Sequence, residues 1–398
     1  MMRLLAFEIQ NTNLFGEKLH IDLFATDKVS HLITDNDNIE RAFKIKGTTS
    51  IYTQNLIAFT GLNATGKTTI LEVIQMILGI ISHNARLNDT NIKLILHKII
   101  GNSIDINNPA TFIVWFVLDN QIFELTSRIV KKYNAYNEDI FIYEDEIIKV
   151  QSIARLNKKY IFNFDKPIKV LKRNDYINDD TFLLEDVSII SMYKNKDVKF
   201  MSSFEKYNIA RFIQPRIPDV SVIQCFDSAI RNIKESHIND KYILQFKKEN
   251  SEYNLSYNEL ETILSSGTVK ALHFFPAIQS ILETGGYILF DEIENHINKR
   301  LVEWILSLFE NREFNPHGAC LIFSTHYPEL LDTFVRKDNI YITRKDIDGT
   351  IEAVKYSDDI KRNELLKSNV ILGNLIKGTV PKYASMKAAE KALMGTIK

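Results

Sequence analysis

Arg3 to Ile9 is a mostly apolar run, and Leu19 to Leu23 alternates apolar and polar residues, the two lying either side of the turn-rich stretch "NTNLFGEK". The pattern predicts two strands around a turn. A polar stretch from about Thr26 to Thr53, with "TDNDN" inside it, predicts a loop with short strands. "NLIAF" (Asn55 to Phe59) is a short apolar strand, and Lys67 to about Ile81 reads as a helix apolar on most faces, which belongs inside, packed on a sheet. "TFIVWFVLDNQIFELTSRIV" predicts a hairpin turning at Asp119-Asn120, and "DIFIYEDEIIKV" a second one turning near Glu144-Asp145. From about Gln151 to Lys248 no heptads persist, and helices and loops projecting from the core are expected. Farther on, Gly286 to Phe290 and Cys320 to Ser324 read as buried parallel strands with a helix, Lys299 to Glu310, between them, and "KAAEKALMGTIK" as a terminal helix.

Alternation of helix and strand at both ends predicts an α/β fold: a mixed β-sheet core, an N-terminal antiparallel β-subdomain and an inserted helical region. On this reading residues 1–150 carry the first half of the core with the hairpins, 151–255 an inserted helical or lid region, and 256–398 the second half of the core.

Composition narrows the class. The 398 residues carry a net charge of -1, so no global basic field points to nucleic acid or an anionic surface. The two cysteines, Cys225 and Cys320, lie far apart in apolar surroundings and read as buried reduced thiols. The start "MMRLLAFEIQNTN" is charged too early for a signal peptide, and no apolar run is long enough to span a membrane. A soluble cytoplasmic protein with no membrane partner is expected.

Four motifs carry chemistry. Gly61 to Thr68, "GLNATGKT", fits G-x4-G-K-[ST] between a strand and a helix. Asn63, Ala64, Thr65, Gly66, Lys67, Thr68 and Thr69 are therefore candidates to wrap a phosphate with backbone N–H groups at a helix N-terminus. Lys67 reaches the outer phosphates and Thr68 offers a hydroxyl to Mg²⁺. In "YILFDEIENHIN" an apolar strand delivers Asp291, a metal ligand, and Glu292, a general base. "LSSGTVKAL" (Leu264 to Leu272) is a serine-glycine turn opening a helix, by itself an ordinary N-cap. "CLIFSTHYPELL" is a buried strand ending in Ser324-Thr325-His326.

In this order the four motifs resemble those of ABC-type ATPases, where "LSSGT" corresponds to the signature L-S-G-G-Q with Ser266 and Thr268 departing from it. The chain resembles the RecF/SMC-like branch, and more closely the AAA15-type ATPases of prokaryotic anti-phage and abortive-infection systems. The matching pieces are "MMRLLAFEIQNTNLFG", "GLNATGKTT", "LSSGTVKAL", "ILFDEIENHIN", "IFSTHYPELLD" and "KDNIYITRKDIDGT". The resemblance implies ATP and Mg²⁺ as cofactors, His326 as the switch histidine on the γ-phosphate, and Ser265 and Gly267 reaching the nucleotide of a second copy. It implies association as a homodimer or higher oligomer and a role as sensor or regulator of a separate effector, toxin or nuclease. A RecF-like repair ATPase that binds DNA directly is the alternative. The short span between Thr68 and Ser265 leaves no room for a long coiled-coil arm, and the stretch after His326 is too short for a fused nuclease domain.

Other candidates are weaker. The acidic run Glu138-Asp139 with Glu144-Asp145-Glu146 reads as a solvated hairpin rim rather than a metal site. Lys158-Lys159 and "KPIKVLKR", near Tyr160, Phe162 and Phe164, could face a nucleic-acid backbone or solvent. For the glutamine that completes Mg²⁺ coordination in the family, Gln151 and Gln214 both stay open.

Overall fold

The computed structural model describes residues 2–29, 39–101, 108–154, 156–177, 183–194, 196–203, 217–236, 241–346, 348–362, 365–381 and 383–396. The "TDNDN" stretch and Gln214 lie outside the described residues. Strands β1 (Arg3–Thr12), β2 (Gly16–Asp22), β6 (Ala110–Leu118), β7 (Gln121–Tyr133), β8 (Asp139–Ser152) and β9 (Lys169–Lys172) form an antiparallel sheet in the order β2-β1-β6-β7-β8-β9. The second sheet has β5 (Leu56–Gly61), β10 (Phe200–Ser202), β14 (Tyr287–Phe290), β15 (Cys320–Thr325), β16 (Ile340–Lys345) and β17 (Ile351–Lys355), ordered β10-β14-β15-β5-β16-β17. All its pairs are parallel except β16 with β17. A ribbon of β3 (Ala42–Lys44) and β4 (Tyr52–Gln54) and a small sheet of β11 (Ile230–Glu235), β12 (Tyr242–Phe246) and β13 (Glu252–Leu255) complete the strands among the described residues.

The longer helices are α1 (Lys67–His83), α2 (Thr90–Ile100), α3 (Ser266–Thr284), α4 (Lys299–Glu310) and α5 (Tyr383–Thr396). Helix α1 is apolar nearly all round because it lies between the two sheets. Ile70, Val73 and Ile77 share one core with Leu4, Phe7 and Ile9 of β1 and with Ile57, Phe59, Leu289 and Ile322 of the parallel sheet. Alternation along β5 sends Leu56 and Ala58 to the opposite face, where they join Phe290, Phe323 and the buried sides of α3 and α4. The fold is thus a mixed α/β protein with a parallel sheet core and an N-terminal antiparallel sheet. No helix among the described residues is long and apolar enough to cross a membrane.

The turn at Asp119-Asn120 forms as expected, with both residues at positive φ (47° and 60°). The turn expected at Glu144-Asp145 does not. Residues 139–152 are one strand, and the real turn is Asn134 to Glu138, where Asn134 Oδ1 accepts from the N–H groups of Tyr136 and Glu138 (both 2.9 Å). Glu144 is the extra residue of a bulge, because Asp145 pairs with Arg128 and Tyr143 with Ile129. Glu146 is not on a solvated rim either; it is fully buried against Arg173. Among the described residues, 151–255 hold short strands and brief helical turns such as Asn174–Ile177 and Val220–Gln224, and no long helix. β9 and β10 add strands to the two large sheets while β11 to β13 pair with one another, a pairing that local pattern does not encode. Cys320 is buried as expected, but Cys225 is exposed: it caps the short helix Val220–Gln224 and donates its thiol to the Ser221 carbonyl.

A charged cluster joins the two sheets. His20 places Nδ1 3.1 Å from Glu8 and Nε2 2.9 Å from Asp22, while Lys355 of the parallel sheet binds the other Asp22 oxygen. Burial alone would lower the His20 pKa, but the two carboxylates outweigh it and raise it to about 9. A raised folded-state pKa makes this contribution complete below the ordinary histidine range and removes it as pH climbs through about 9. His20→Gln is expected to flatten the fall in melting temperature between pH 7 and 10, measured by differential scanning fluorimetry against the wild type.

Candidate functional site

Strands β5, β14 and β15 run parallel, so their C-terminal ends emerge together, where α/β sheets present ligand-binding groups. β5 leads into the loop Gly61–Gly66 and α1. Two glycines there are required by packing. A Cβ on Gly61 (φ 149°) would lie 2.2 Å from the Thr343 carbonyl oxygen of β16, and one on Gly66 (φ 91°) 2.4 Å from Ile351 of β17. These contacts let the loop lie against β16 and β17. Thr65 fastens it further, donating to the Leu62 carbonyl and sharing a 2.7 Å hydrogen bond with Thr343 Oγ1.

Lys67 is 6% exposed, and its Nζ donates to the carbonyls of Gly61 (3.0 Å) and Leu62 (2.9 Å). Burial lowers its pKa, opposed by Asp291, Glu292 and Glu294. Thr68 Oγ1 donates to Asp291 Oδ2 at 2.7 Å, and Ser324 Oγ donates to Asp291 Oδ1 at 2.5 Å. The Ser324 hydroxyl also accepts the Glu292 N–H (2.7 Å), so one buried serine aligns both acidic residues. Glu292 takes a left-handed backbone (φ 49°) and sets Oε1 3.3 Å from His326 Nε2. The His326 N–H donates to Glu294 Oε1 at 2.6 Å.

Asn63 to Thr69, Glu292 and His326 line one cavity of about 400 Å³, together with Leu14, Lys345 and Ile351. Asp291 is tied to it through Thr68. Ser265 and Gly267 do not line it. Ser265 caps α3, accepting the Thr268 N–H at 3.1 Å, and Gly267 sits so close to the 291–297 loop that a Cβ would lie 2.6 Å from the His296 carbonyl oxygen. Gln151 is on β8, bonded to the Asn163 carbonyl and away from this cavity.

The residues suit a polyphosphate with a hard divalent cation. A loop with positive-φ backbone at Ala64 and Gly66 runs into a helix N-terminus beside a buried ammonium group. No cluster of three or more metal-ligating side chains occurs among the described residues. A cation at Thr68 and Asp291 would therefore take its remaining oxygens from phosphate and water, as Mg²⁺ does.

Sequence reasoning missed Ser324 as a buttress, Ser203, whose Oγ accepts the Asp291 N–H (2.9 Å), and Glu294. It also missed Lys270 of α3, whose amino group burial pushes down to about 8 against the pull of Glu294, Glu292 and Asp291. Ser324 and Glu294 stood inside quoted motifs, but nothing in their spacing told what they bind. The basic stretch 166–173 also changes: Arg173 is buried in an ion pair and Phe164 in the core, so neither faces a nucleic-acid backbone.

A family model described as "AAA domain, putative AbiEii toxin, Type IV TA system" matches residues 56–332. Among curated proteins none matches the chain.

Proposed function

The chain belongs to this AAA-domain family, a P-loop ATPase family related to the ABC and RecF-like ATPases, and from that premise we propose a magnesium-dependent ATPase whose ATP-bound heads associate around shared sites. The observation that carries the reading is the convergence of Lys67, Thr68, Asp291, Glu292 and His326, from three separate stretches of chain, on one cleft at the strand ends.

ATP enters with its phosphates over the loop, and Lys67 exchanges the Gly61 and Leu62 carbonyls for phosphate oxygens. Mg²⁺ held by Thr68 and Asp291 would supply positive charge against the β- and γ-phosphate oxygens. Glu292 orients a water and takes its proton, and His326, beside it, steadies the γ-phosphate. Positioning and charge do the work, without a covalent intermediate.

Each site is completed by Ser265 and Gly267 of a second copy. This is supported by the position of Ser265: exposed at the N-terminus of a 19-residue helix, outside its own chain's cavity. The ATPase acts as sensor and regulator in an anti-phage abortive-infection system and controls a separate effector. Support comes from the AbiEii toxin and type IV toxin–antitoxin association in the family description. The DNA-repair alternative has lost Arg173 as a phosphate contact.

The test mixes two inactive proteins. Ser265→Arg should bind ATP and not turn it over, Lys67→Ala should bind neither ATP nor water productively, and the mixture should regain part of the activity, because one hybrid site is intact. A mixture as inactive as its parts, in phosphate-release assays, would exclude shared sites.

A further inference from the structure

The acidic loop 291–297 is held from two sides. On one side α3 presses on it: Gly267 abuts the His296 carbonyl, and Lys270 Nζ donates to the carbonyl of Asn295 at 2.8 Å and lies 3.5 Å from that of Glu292. On the other side the end of β15 grips it through Ser324, whose Oγ accepts the Glu292 N–H and whose carbonyl accepts the Ile293 N–H (3.2 Å). Glu294 closes the loop onto the histidine by accepting the His326 N–H. Both Glu292 and His296 have positive φ, so the loop makes sharp bends that its own residues do not favour and neighbouring contacts must hold. Glu294 is 8% exposed, and its second oxygen has no hydrogen-bond partner among the described residues. A buried carboxylate with half its capacity unmet is retained here by the bond to the His326 backbone.

We propose that Lys270 and Glu294 are positioning residues that join the first turn of α3, the acidic loop and His326 into one body, so that the alignment of Glu292 follows whatever contacts the exposed end of α3. This rests on the ATPase reading above and adds its regulation. Contact at Ser265 and Ser266 by a second copy bears on the helix end one turn before Lys270, which holds the Glu292 and Asn295 carbonyls. The chain's own water-activating pair is thereby set by the partner that its helix touches, through two side chains that touch neither nucleotide nor water. Lys270 Nζ also lies over the Phe274 ring, 5.1 Å from its centre, a second contact that holds the amino group near the loop.

Lys270→Met keeps the stem and removes the donor. It is expected to lower kcat by roughly ten- to hundredfold, the scale of a small displacement of a reacting group. KM for ATP and the melting temperature should stay near wild type, and Lys270→Arg, which keeps donors for both carbonyls, should recover most of the rate. Glu294→Ala is expected to do the same by freeing the His326 backbone, and it carries the test if Lys270→Met does not fold. Wild-type specific activity should rise with protein concentration as copies associate. In Lys270→Met that rise should flatten while ATP-dependent association, read by sedimentation, persists. Normal kcat in both variants, or losses matched by a rise in KM and a fall in melting temperature, would overturn the linkage. Glu292→Gln run alongside separates the two readings: if it hydrolyses ATP normally, Glu292 is not the base and the site reading falls together with the linkage, whereas if it is inactive and both positioning variants are normal, only the linkage falls.

Discussion

Glu292→Gln is expected to bind ATP, lose turnover by about 10²–10⁴-fold and accumulate as ATP-held oligomers. The amide is nearly the same size as the carboxylate and can keep contact with His326, 3.3 Å away, so the loop geometry should survive. What disappears is the site that takes the proton from water. Binding depends on other groups: the phosphate loop, the buried Lys67 and the Thr68–Asp291 pair, which Ser324 holds independently of the Glu292 side chain. Single-turnover quench measurements, with size-exclusion chromatography in ATP, separate binding from chemistry. Near-normal hydrolysis would remove Glu292 from its role as base. A variant that loses ATP binding as well would mean the residue supports the loop instead.

Arg173→Met is expected to destabilise the protein by about 3–5 kcal/mol, the cost of leaving a buried charge without its partner. Arg173 is 2% exposed and donates to Glu146 Oε2 (2.6 Å) and to the carbonyls of Val187 and Leu184. Glu146, fully buried, also accepts from Ser127, Ser188 and the Ile189 N–H. Removing the guanidinium strands that carboxylate and frees the Leu184 and Val187 carbonyls, which weakens the hold of β8 on the segment 184–189 and leaves it the Ser188 and Ile189 bonds to Glu146 and the Tyr143 N–H on the Glu185 carbonyl. Replacing both partners, as in Glu146→Leu with Arg173→Met, should cost less than the single change, since no unpaired charge remains. Chemical denaturation of the two variants beside Lys172→Met, an exposed residue at the end of β9 immediately before Arg173, makes the comparison. An Arg173→Met midpoint equal to that of Lys172→Met would show that the buried pair contributes nothing.

The parts of this protein legible from sequence share a property. The phosphate loop, the strand before it and the helix after it are contiguous, so their motif can be read within one short stretch of chain. The strands leading to Asp291 and His326 are short apolar runs of the kind that fill the middle of a parallel sheet, so their being buried parallel strands was readable too, whereas the order β14-β15-β5 was not. Where the reading failed, pairing decided the outcome. Glu144-Asp145 looks like a turn, but residues 139–152 gain a continuous ladder with β7 by extending, and a one-residue bulge absorbs the mismatch. Glu146 and Arg173 look like surface charges until β8 and the 184–189 segment close over them.

By itself the sequence determined which groups could meet a triphosphate: Lys67 and Thr68 behind their glycines, Asp291 and Glu292 at a strand end, His326 at another. Each follows from interactions among neighbours in the chain. Only the tertiary structure decided how they are held: Ser324 aligning Asp291 with Glu292, Glu294 on the His326 backbone, Lys270 clasping the loop from α3, and Leu14, Lys345 and Ile351 closing the cleft. Those contacts join residues far apart in the chain. Their energy depends on packing and burial that exist only once the sheets have formed, so no local pattern could announce them.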